Sequence, residues 1–250
     1  MQPNPIAFEI FGFEIRWYGI LIAIGIALAI ITAYRRSSAV GIKSDDLLDA
    51  VIISVPIGII GARAYYVFFS LDNYHSFAQM IDIRSGGLAI HGGIIFGLAT
   101  AYLVCKKKKI QFFNLFDLAV PSIALAQSIG RWGNYFNSEA HGGETNLPWA
   151  IMVDGKSVHP TFLYESIWCF VLFIGLSYLL LKKRQFTGQI FSLYVILYSV
   201  ERFFVEGLRT DSLMIGPFRQ AQVLSLVLIA VGVVVYVYGK RKCVLSNDNK

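Results

Sequence analysis

Long apolar blocks separated by short polar ones organise this chain. Seven apolar runs approach the roughly 20 residues that cross a bilayer as a helix. They cover residues 17–34, 47–70, 87–105, 112–129, 164–181, 188–205 and 222–238. Backbone amides inside lipid must be satisfied within the segment itself, and these runs are too long for barrel strands. The pattern therefore predicts an all-α integral membrane protein of seven transmembrane helices in a single domain, 1–250. Turn signals at His141-Gly142-Gly143 and Asp154-Gly155, with an apolar stretch at 147–153, predict a small cap over 130–163.

The polar connections differ in charge. One set carries Arg35, Arg36 and Lys43; Lys106, Lys107, Lys108 and Lys109; Lys182, Lys183 and Arg184; and Lys240, Arg241 and Lys242. With seven helices these four fall on one side, the cytoplasmic one by the positive-inside rule. The other set is the N-terminus, 71–86, 130–163 and 206–221, with Asp72, Asp82, Glu144, Asp154 and Asp211. This reading places the N-terminus outside and the C-terminus in the cytoplasm. Residues 1–15 hold Glu9 and Glu14 and no Lys or Arg, and Arg35-Arg36 follow the first run, the reverse of a cleavable signal. An uncleaved first helix is expected.

Composition agrees. The chain is 56% hydrophobic and 15% charged, with a mean hydropathy of +0.58. A soluble domain carries about 25% charge. Cys105, Cys169 and Cys243 lie in or beside apolar runs, which argues against a disulfide framework and for buried filler.

The densest chemistry is Gly130-Arg131-Trp132-Gly133-Asn134-Tyr135-Phe136-Asn137-Ser138-Glu139, at the outer mouth of the fourth run. A guanidinium forks onto phosphate with two parallel hydrogen bonds, and glycines allow close approach. The cluster suits a lipid head group. Further polar residues sit inside apolar runs, where a charge costs about 2.5–3.5 kcal/mol on insertion scales. Arg63 is expected either to meet a carboxylate or helix-end carbonyls, or to serve an anionic ligand. His91 lies four residues into the third run, about 6 Å from its end at helical rise. Either it belongs to a small-residue packing seam with Gly86, Gly87, Gly92 and Gly93, or it moves a proton. Tyr198, Arg202 and Glu206 recur at four-residue spacing on one helical face, beside Glu201. An internal ion pair and a ligand-orienting pair both fit. Trp17-Tyr18 suit an aromatic belt. Thr161 suits an N-cap with Glu165 in the first turn. Lys106–Lys109 suit a topology signal and anionic-lipid contact. His75, His91, His141 and His159 are scattered without zinc-like spacing, and no phosphate-loop or Gly-x-Ser-x-Gly motif is present. No metal or other cofactor and no nucleic-acid partner is expected.

The motif Gly130-Arg131-x-Gly133-Asn134-Tyr135-Phe136-Asn137-x-Glu139-x-x-Gly142 resembles the signature of the prolipoprotein diacylglyceryl transferase family, with Tyr135 where Phe is usual. Trp17-Tyr18-Gly19, His91-Gly92-Gly93, His159-Pro160-Thr161 with Tyr164-Glu165, and Tyr198, Arg202 and Glu206 match further landmarks. The resemblance spans nearly the whole chain. It implies seven helices with the N-terminus outside, in a bacterial cytoplasmic membrane. It implies transfer of the diacylglyceryl group of phosphatidylglycerol to the lipobox cysteine of a prolipoprotein signal peptide, as a thioether, with glycerol phosphate released. It implies that Arg131 binds the phospholipid and that Tyr18, His91, Asn134, Glu139, Gly142, Tyr198, Arg202 and Glu206 belong to the functional set. Asn114 matches a polar family position without an assigned role. On chemical grounds His91 is the candidate base for the incoming thiol, while Arg131 and Arg202 suit charge growing on the leaving phosphate. The competing classes are a transporter or flippase for an anionic lipid, and a non-catalytic scaffold. A transporter often shows repeated halves, and no repeat is visible here. A scaffold gives the costly intramembrane charges no use.

Overall fold

The structure, a computed structural model, describes residues 3–83 and 86–248. Arg84 and Ser85, in the connection expected at 71–86, lie outside the described residues. The long helices are α1 (Trp17–Arg36), α2 (Ser44–Phe68), α4 (Ile90–Lys108), α5 (Phe112–Phe136), α6 (Thr161–Lys182), α7 (Gln189–Leu208) and α8 (Gln220–Asp248), with the short α3 (Phe77–Ile81) between α2 and α4. Each long helix overlaps one apolar run. Among the described residues five segments are long and apolar enough to cross a membrane: Trp17–Val40, Ser44–Phe68, Phe112–Phe136, Thr161–Lys182 and Gln220–Leu245. The other two long helices, α4 and α7, carry more charge, namely Lys106–Lys108 in α4 and Glu201, Arg202 and Glu206 in α7.

The expectation of an all-helical chain needs one correction. Among the described residues three antiparallel hairpins occur: β1 (Ile6–Ile10) with β2 (Phe13–Arg16), β3 (Ile151–Val153) with β4 (Lys156–Val158), and β5 (Met214–Ile215) with β6 (Phe218–Arg219). Their physical basis is tight-turn chemistry. The β3–β4 turn is the anticipated Asp154-Gly155, with φ of +50° and +79°, the left-handed pair that a two-residue hairpin loop requires.

The chain divides into two compact units, Met1–Arg36 with Phe116–Lys250, and Ser37–Leu115. In the first, α1 and α5 pack antiparallel through small residues. Gly25 faces Ala126, Ile22 faces Gly130, and the ring of Tyr18 lies on Gly133. This seam explains a second correction. The fourth run was expected to end at residue 129, but α5 continues to Phe136. Gly130 and Gly133 are weak helix formers, yet each gives room to an α1 side chain, so tertiary packing outweighs propensity. The start of α7 is held from α5: fully buried Asp117 accepts from Gly188 N (2.7 Å), Phe191 N (2.8 Å) and Arg184 Nε (3.0 Å). Gly188 offers no side-chain cap of its own, so Asp117 supplies the missing acceptor.

In the second unit, α2 and α4 share a glycine seam. Gly92 lies against the Gly61 carbonyl and Tyr65, and Gly93 against Ala62 and the Gly58 carbonyl. Close packing therefore accounts for the glycines flanking His91. Lys108 pairs with Asp46 (2.9 Å) and Asp49 (2.5 Å), so one of the four consecutive lysines is engaged within the protein.

Candidate functional site

Arg131, Tyr198, Arg202 and Glu206 come together in the first unit. Arg131 stands on the last turns of α5; the other three stand on one face of α7. Glu165 on α6 joins them. Its Oε1 is 3.2 Å from Arg131 Nη2 and accepts from Arg202 Nη1 at 3.0 Å. Arg131 Nη2 also donates to the Tyr198 hydroxyl at 3.2 Å. Arg202 Nη2 lies 2.6 Å from Glu206 Oε2, a charge contact without hydrogen-bond alignment. Glu165 is 1% exposed, whereas the two arginine side chains are each 21% exposed. One buried carboxylate thus holds two guanidiniums from different helices. Isolated, any of these charges would be costly in an apolar interior; paired, they are sustainable.

The pairing leaves donors free. Arg131 uses only Nη2, so Nε and Nη1 have no hydrogen-bond partner among the described residues. Arg202 likewise keeps Nε unengaged. A guanidinium anchored at Nη2 still has N–H groups at Nε and Nη1, each able to donate singly to an oxyanion. Glu201 adds a third carboxylate to this side of α7, with both oxygens buried and no hydrogen-bond partner among the described residues.

The supporting scaffold is aromatic and hydroxyl-bearing. Trp132 Nε1 donates to Ser166 Oγ at 3.1 Å, and the Trp132 and Tyr135 rings lie 5.3 and 5.0 Å from that of Phe162. Tyr194 donates to Gln127 Oε1 at 2.7 Å and stacks on Tyr198. These contacts tie α5, α6 and α7 behind the arginines.

Beyond Arg131 the chain leaves the helix through Ser138 (φ +54°) and Ala140 (φ +56°). The carboxylate of Glu139 accepts from Asn134 Nδ2 (3.0 Å) and Asn137 Nδ2 (3.2 Å). The polar cluster of the sequence is therefore folded on itself at the helix end, with Asn134 and Glu139 in direct contact. Tyr18 reaches the same helix through Gly133, and Trp17 stacks on Phe136 at 5.2 Å. Gly142 has a packing reason of its own. A methyl there would stand 2.7 Å from His159 Cβ and 3.1 Å from the Leu208 carbonyl, where its N–H donates to His159 O at 2.9 Å.

His91 belongs to the other unit. It was expected one turn inside its helix, but α4 begins at Ile90, so His91 is the second helical residue. The reason is local. Gly86 and Gly87 have φ of +87° and +73°, outside the helical range, and their carbonyls are drawn to Arg63. The exposed imidazole lies 6.2 Å from the ring of Tyr65 and has no hydrogen-bond partner among the described residues. Arg63 takes the carbonyl role left open by the sequence. It donates to Met80 O (2.8 Å), Gln79 O (2.8 Å), Gly86 O (2.5 Å) and Gly87 O (3.0 Å), with Tyr74 beneath its cation at 5.3 Å. Asn114 lies in the first turn of α5.

Glu165 is the site member that sequence reasoning assigned elsewhere. Thr161 is not the N-cap; Pro160 is, and Thr161 is the first helical residue, its hydroxyl donating to Ala140 O. Pro160 makes no side-chain cap bond, and the Thr161 hydroxyl is spent on a tertiary bond instead. Glu165 then lies past the first turn and turns to the arginines. The signal was available: an acidic residue at the start of an apolar run, inside a membrane-length helix, asks for a cationic partner.

Comparison with known proteins bears on this arrangement. The family described as prolipoprotein diacylglyceryl transferase matches residues 5–238. A relative from Finegoldia magna, named phosphatidylglycerol--prolipoprotein diacylglyceryl transferase, is 49% identical over 97% of this chain and 98% of its own. One of the same name from Clostridioides difficile is 52% identical over 95% of this chain and 96% of its own. A third, from Clostridium novyi, is 49% identical over 94% and 95%.

Proposed function

The chain belongs to the prolipoprotein diacylglyceryl transferase family, and we propose on that footing that it transfers the diacylglyceryl group of phosphatidylglycerol to the lipobox cysteine of prolipoproteins. The observation that carries the site assignment is the Arg131–Glu165–Arg202 bridge, which leaves guanidinium donors open. In this reading the phosphodiester accepts single hydrogen bonds from the open N–H groups of Arg131 and from Nε of Arg202, without a fork on Arg131, whose Nη2 is held by Glu165 and Tyr198. Asn134 and Glu139 meet the hydroxyls of the head group, since together they offer donors and acceptors. Tyr18, Gly142, Tyr198 and Glu206 shape and orient the site.

The nucleophile is the thiol of the partner peptide. A thiol of ordinary pKa about 8.5 needs a base or positive field to ionise near neutrality. His91 takes that proton. The thiolate attacks the glyceryl carbon, a C–S bond forms, and the C–O bond to phosphate breaks. The electron pair leaves on the phosphate oxygen, where Arg131 and Arg202 stabilise it. The products are the thioether and glycerol phosphate. All seven long helices span the bacterial cytoplasmic membrane, with the N-terminus outside and the C-terminus inside. The basic connections support this orientation, and residues 130–163 then form an extracytoplasmic cap.

The test is an assay of purified protein with phosphatidylglycerol and a lipobox peptide, scored by mass for the diacylglyceryl thioether. Product dependent on both substrates and on the peptide cysteine is expected. Absence of product from folded protein contradicts the proposal.

A further inference from the structure

The β3–β4 hairpin leaves one backbone edge open. Its ladder pairs Ile151 with Val158, Met152 with Ser157 and Val153 with Lys156. The outer edge of β4 is covered: Thr145 N donates to Ser157 O at 2.9 Å, and Gly142 N donates to His159 O at 2.9 Å. Ser157 therefore turns its carbonyl away from β3, which makes Met152–Ser157 a pair without ladder hydrogen bonds. In such a pair the two backbones face opposite ways, so the N–H and C=O of Met152 point out of the β3 edge. Neither group has a hydrogen-bond partner among the described residues. An uncovered strand edge is a template for pairing with another chain.

Beside this edge is a cavity of about 180 Å³, lined by Pro3, Tyr135, Ser138, Ile151, Met152 and Val153. Successive side chains of a strand point to opposite faces. A cavity that touches three consecutive residues of β3 therefore lies along its edge, not over one face. A dry apolar cavity of about 150 Å³ holds benzene, so this one accepts a single aliphatic side chain. Tyr135 ties the cavity to the arginine site. It follows Arg131 by four residues on α5, on the same face and about 6 Å further along the axis. A lipid carries no N–H and C=O groups at strand spacing; an extended peptide carries both. We propose that the prolipoprotein segment docks on the outer edge of β3, adding as a strand on the backbone of Met152 and seating one apolar side chain beside Tyr135. In strand addition main-chain bonds supply affinity and pockets for alternate side chains supply choice. An extended residue advances about 3.3 Å, so a cysteine two residues beyond the seated side chain covers the axial distance to Arg131. The inference rests on the transferase reading and gives its second substrate a place.

The test is steady-state kinetics of the full chain with phosphatidylglycerol and a lipobox peptide. Met152→Pro removes the outward N–H at an edge position whose N–H the hairpin's own ladder does not use. Met152→Ala removes the side chain and keeps that N–H. The KM for peptide is expected to be about three- to tenfold higher in Met152→Pro than in Met152→Ala, the scale of one lost hydrogen bond, while the KM for phospholipid agrees within about twofold. Equal peptide KM values in the two variants overturn the inference. A second measurement needs no variant. Esters replace the peptide's amides one at a time, each deleting a single N–H. Neighbouring amides of a strand face opposite edges. With the parent protein, kcat/KM is therefore expected to fall about three- to tenfold at one position and to hold at the positions on either side of it. A flat scan, or an equal fall along the whole peptide, overturns strand pairing. A benzophenone side chain at position 152 is expected to crosslink to the peptide; crosslinking to a second copy of the chain instead gives the edge to that copy and also overturns it. If the parent forms no thioether, the transferase reading fails and the inference with it. Thioether formation with a flat ester scan sinks the inference alone.

Discussion

Two arginine centres, Arg63 and Arg131, treat their charge in opposite ways. Arg63, in the Ser37–Leu115 unit, spends its guanidinium on four backbone carbonyls between Gln79 and Gly87. Arg131, in the other unit, gives one nitrogen to Glu165 and Tyr198 and leaves two nitrogens open. The first arrangement consumes an arginine to fold a loop. The second stabilises an arginine and keeps it available. Burial alone does not distinguish the two; what remains after the hydrogen bonds are counted does.

The comparison breaks most visibly at Glu165. Glu165→Gln keeps the shape of the bridge and removes its charge, leaving two partly buried guanidiniums uncompensated. Breaking one side of such a pair costs about 3–5 kcal/mol. Chemical unfolding in detergent is expected to show a loss of that size, with activity lost alongside. A variant as stable as the parent removes the bridge from the account. Arg131→Lys comes next. A compact ammonium cannot span Glu165, Tyr198 and a phosphate, because it lacks the spread of donors a guanidinium has. Product formation is expected to fall by about 10²-fold or more, the scale for losing an aligned donor at developing charge, with thermal stability close to the parent. Turnover near the parent rate contradicts phosphate binding by Arg131.

The seven helices were legible because apolar length is a strong signal, and each long helix sits on its run. The hairpins were not, since strands of two to five residues carry little periodicity. The end of α5 was misjudged because only tertiary contact with Tyr18 and Ile22 makes Gly130 and Gly133 good helical residues. At the site, the four-residue spacing of Tyr198, Arg202 and Glu206 already placed them on one face. Glu165 escaped because a carboxylate near a helix start has a sufficient local explanation, and its partners lie 34 and 37 residues away in sequence. Arg63 left two roles open for the same reason: its carbonyl partners come from a loop whose path a sequence does not display.

Arg63→Lys sharpens the comparison from the other side. Lysine cannot satisfy carbonyls from four residues, and each buried one left unmet costs about 1–3 kcal/mol. Limited proteolysis between residues 74 and 89 is expected to accelerate several-fold, while Arg131→Lys leaves that segment's protection unchanged. Equal protection in both variants erases the distinction between the centres. The smallest effect belongs to the surface pair Arg209–Asp211. The hydrogen bonds from Arg209, at 2.9 and 2.7 Å, hold the Asp211 carboxyl below the usual carboxylate range. Its stabilisation is present above the unfolded value near pH 3.9 and is lost as pH falls through the lower folded value. Asp211 is half-exposed, so the contribution is under about 1 kcal/mol. Asp211→Asn is expected to flatten the acid limb of the stability curve slightly, the flattening ending once pH has fallen through the folded value of Asp211.

The most direct measurement is solid-state NMR dephasing between lipid phosphorus and guanidinium nitrogen, with uniformly labelled arginine in phosphatidylglycerol bilayers. The account predicts dephasing that diminishes in Arg131→Lys and persists unchanged in Arg63→Lys. Dephasing that survives Arg131→Lys at full strength, or that disappears with Arg63→Lys, contradicts the assignment of phosphate to the open donors of Arg131.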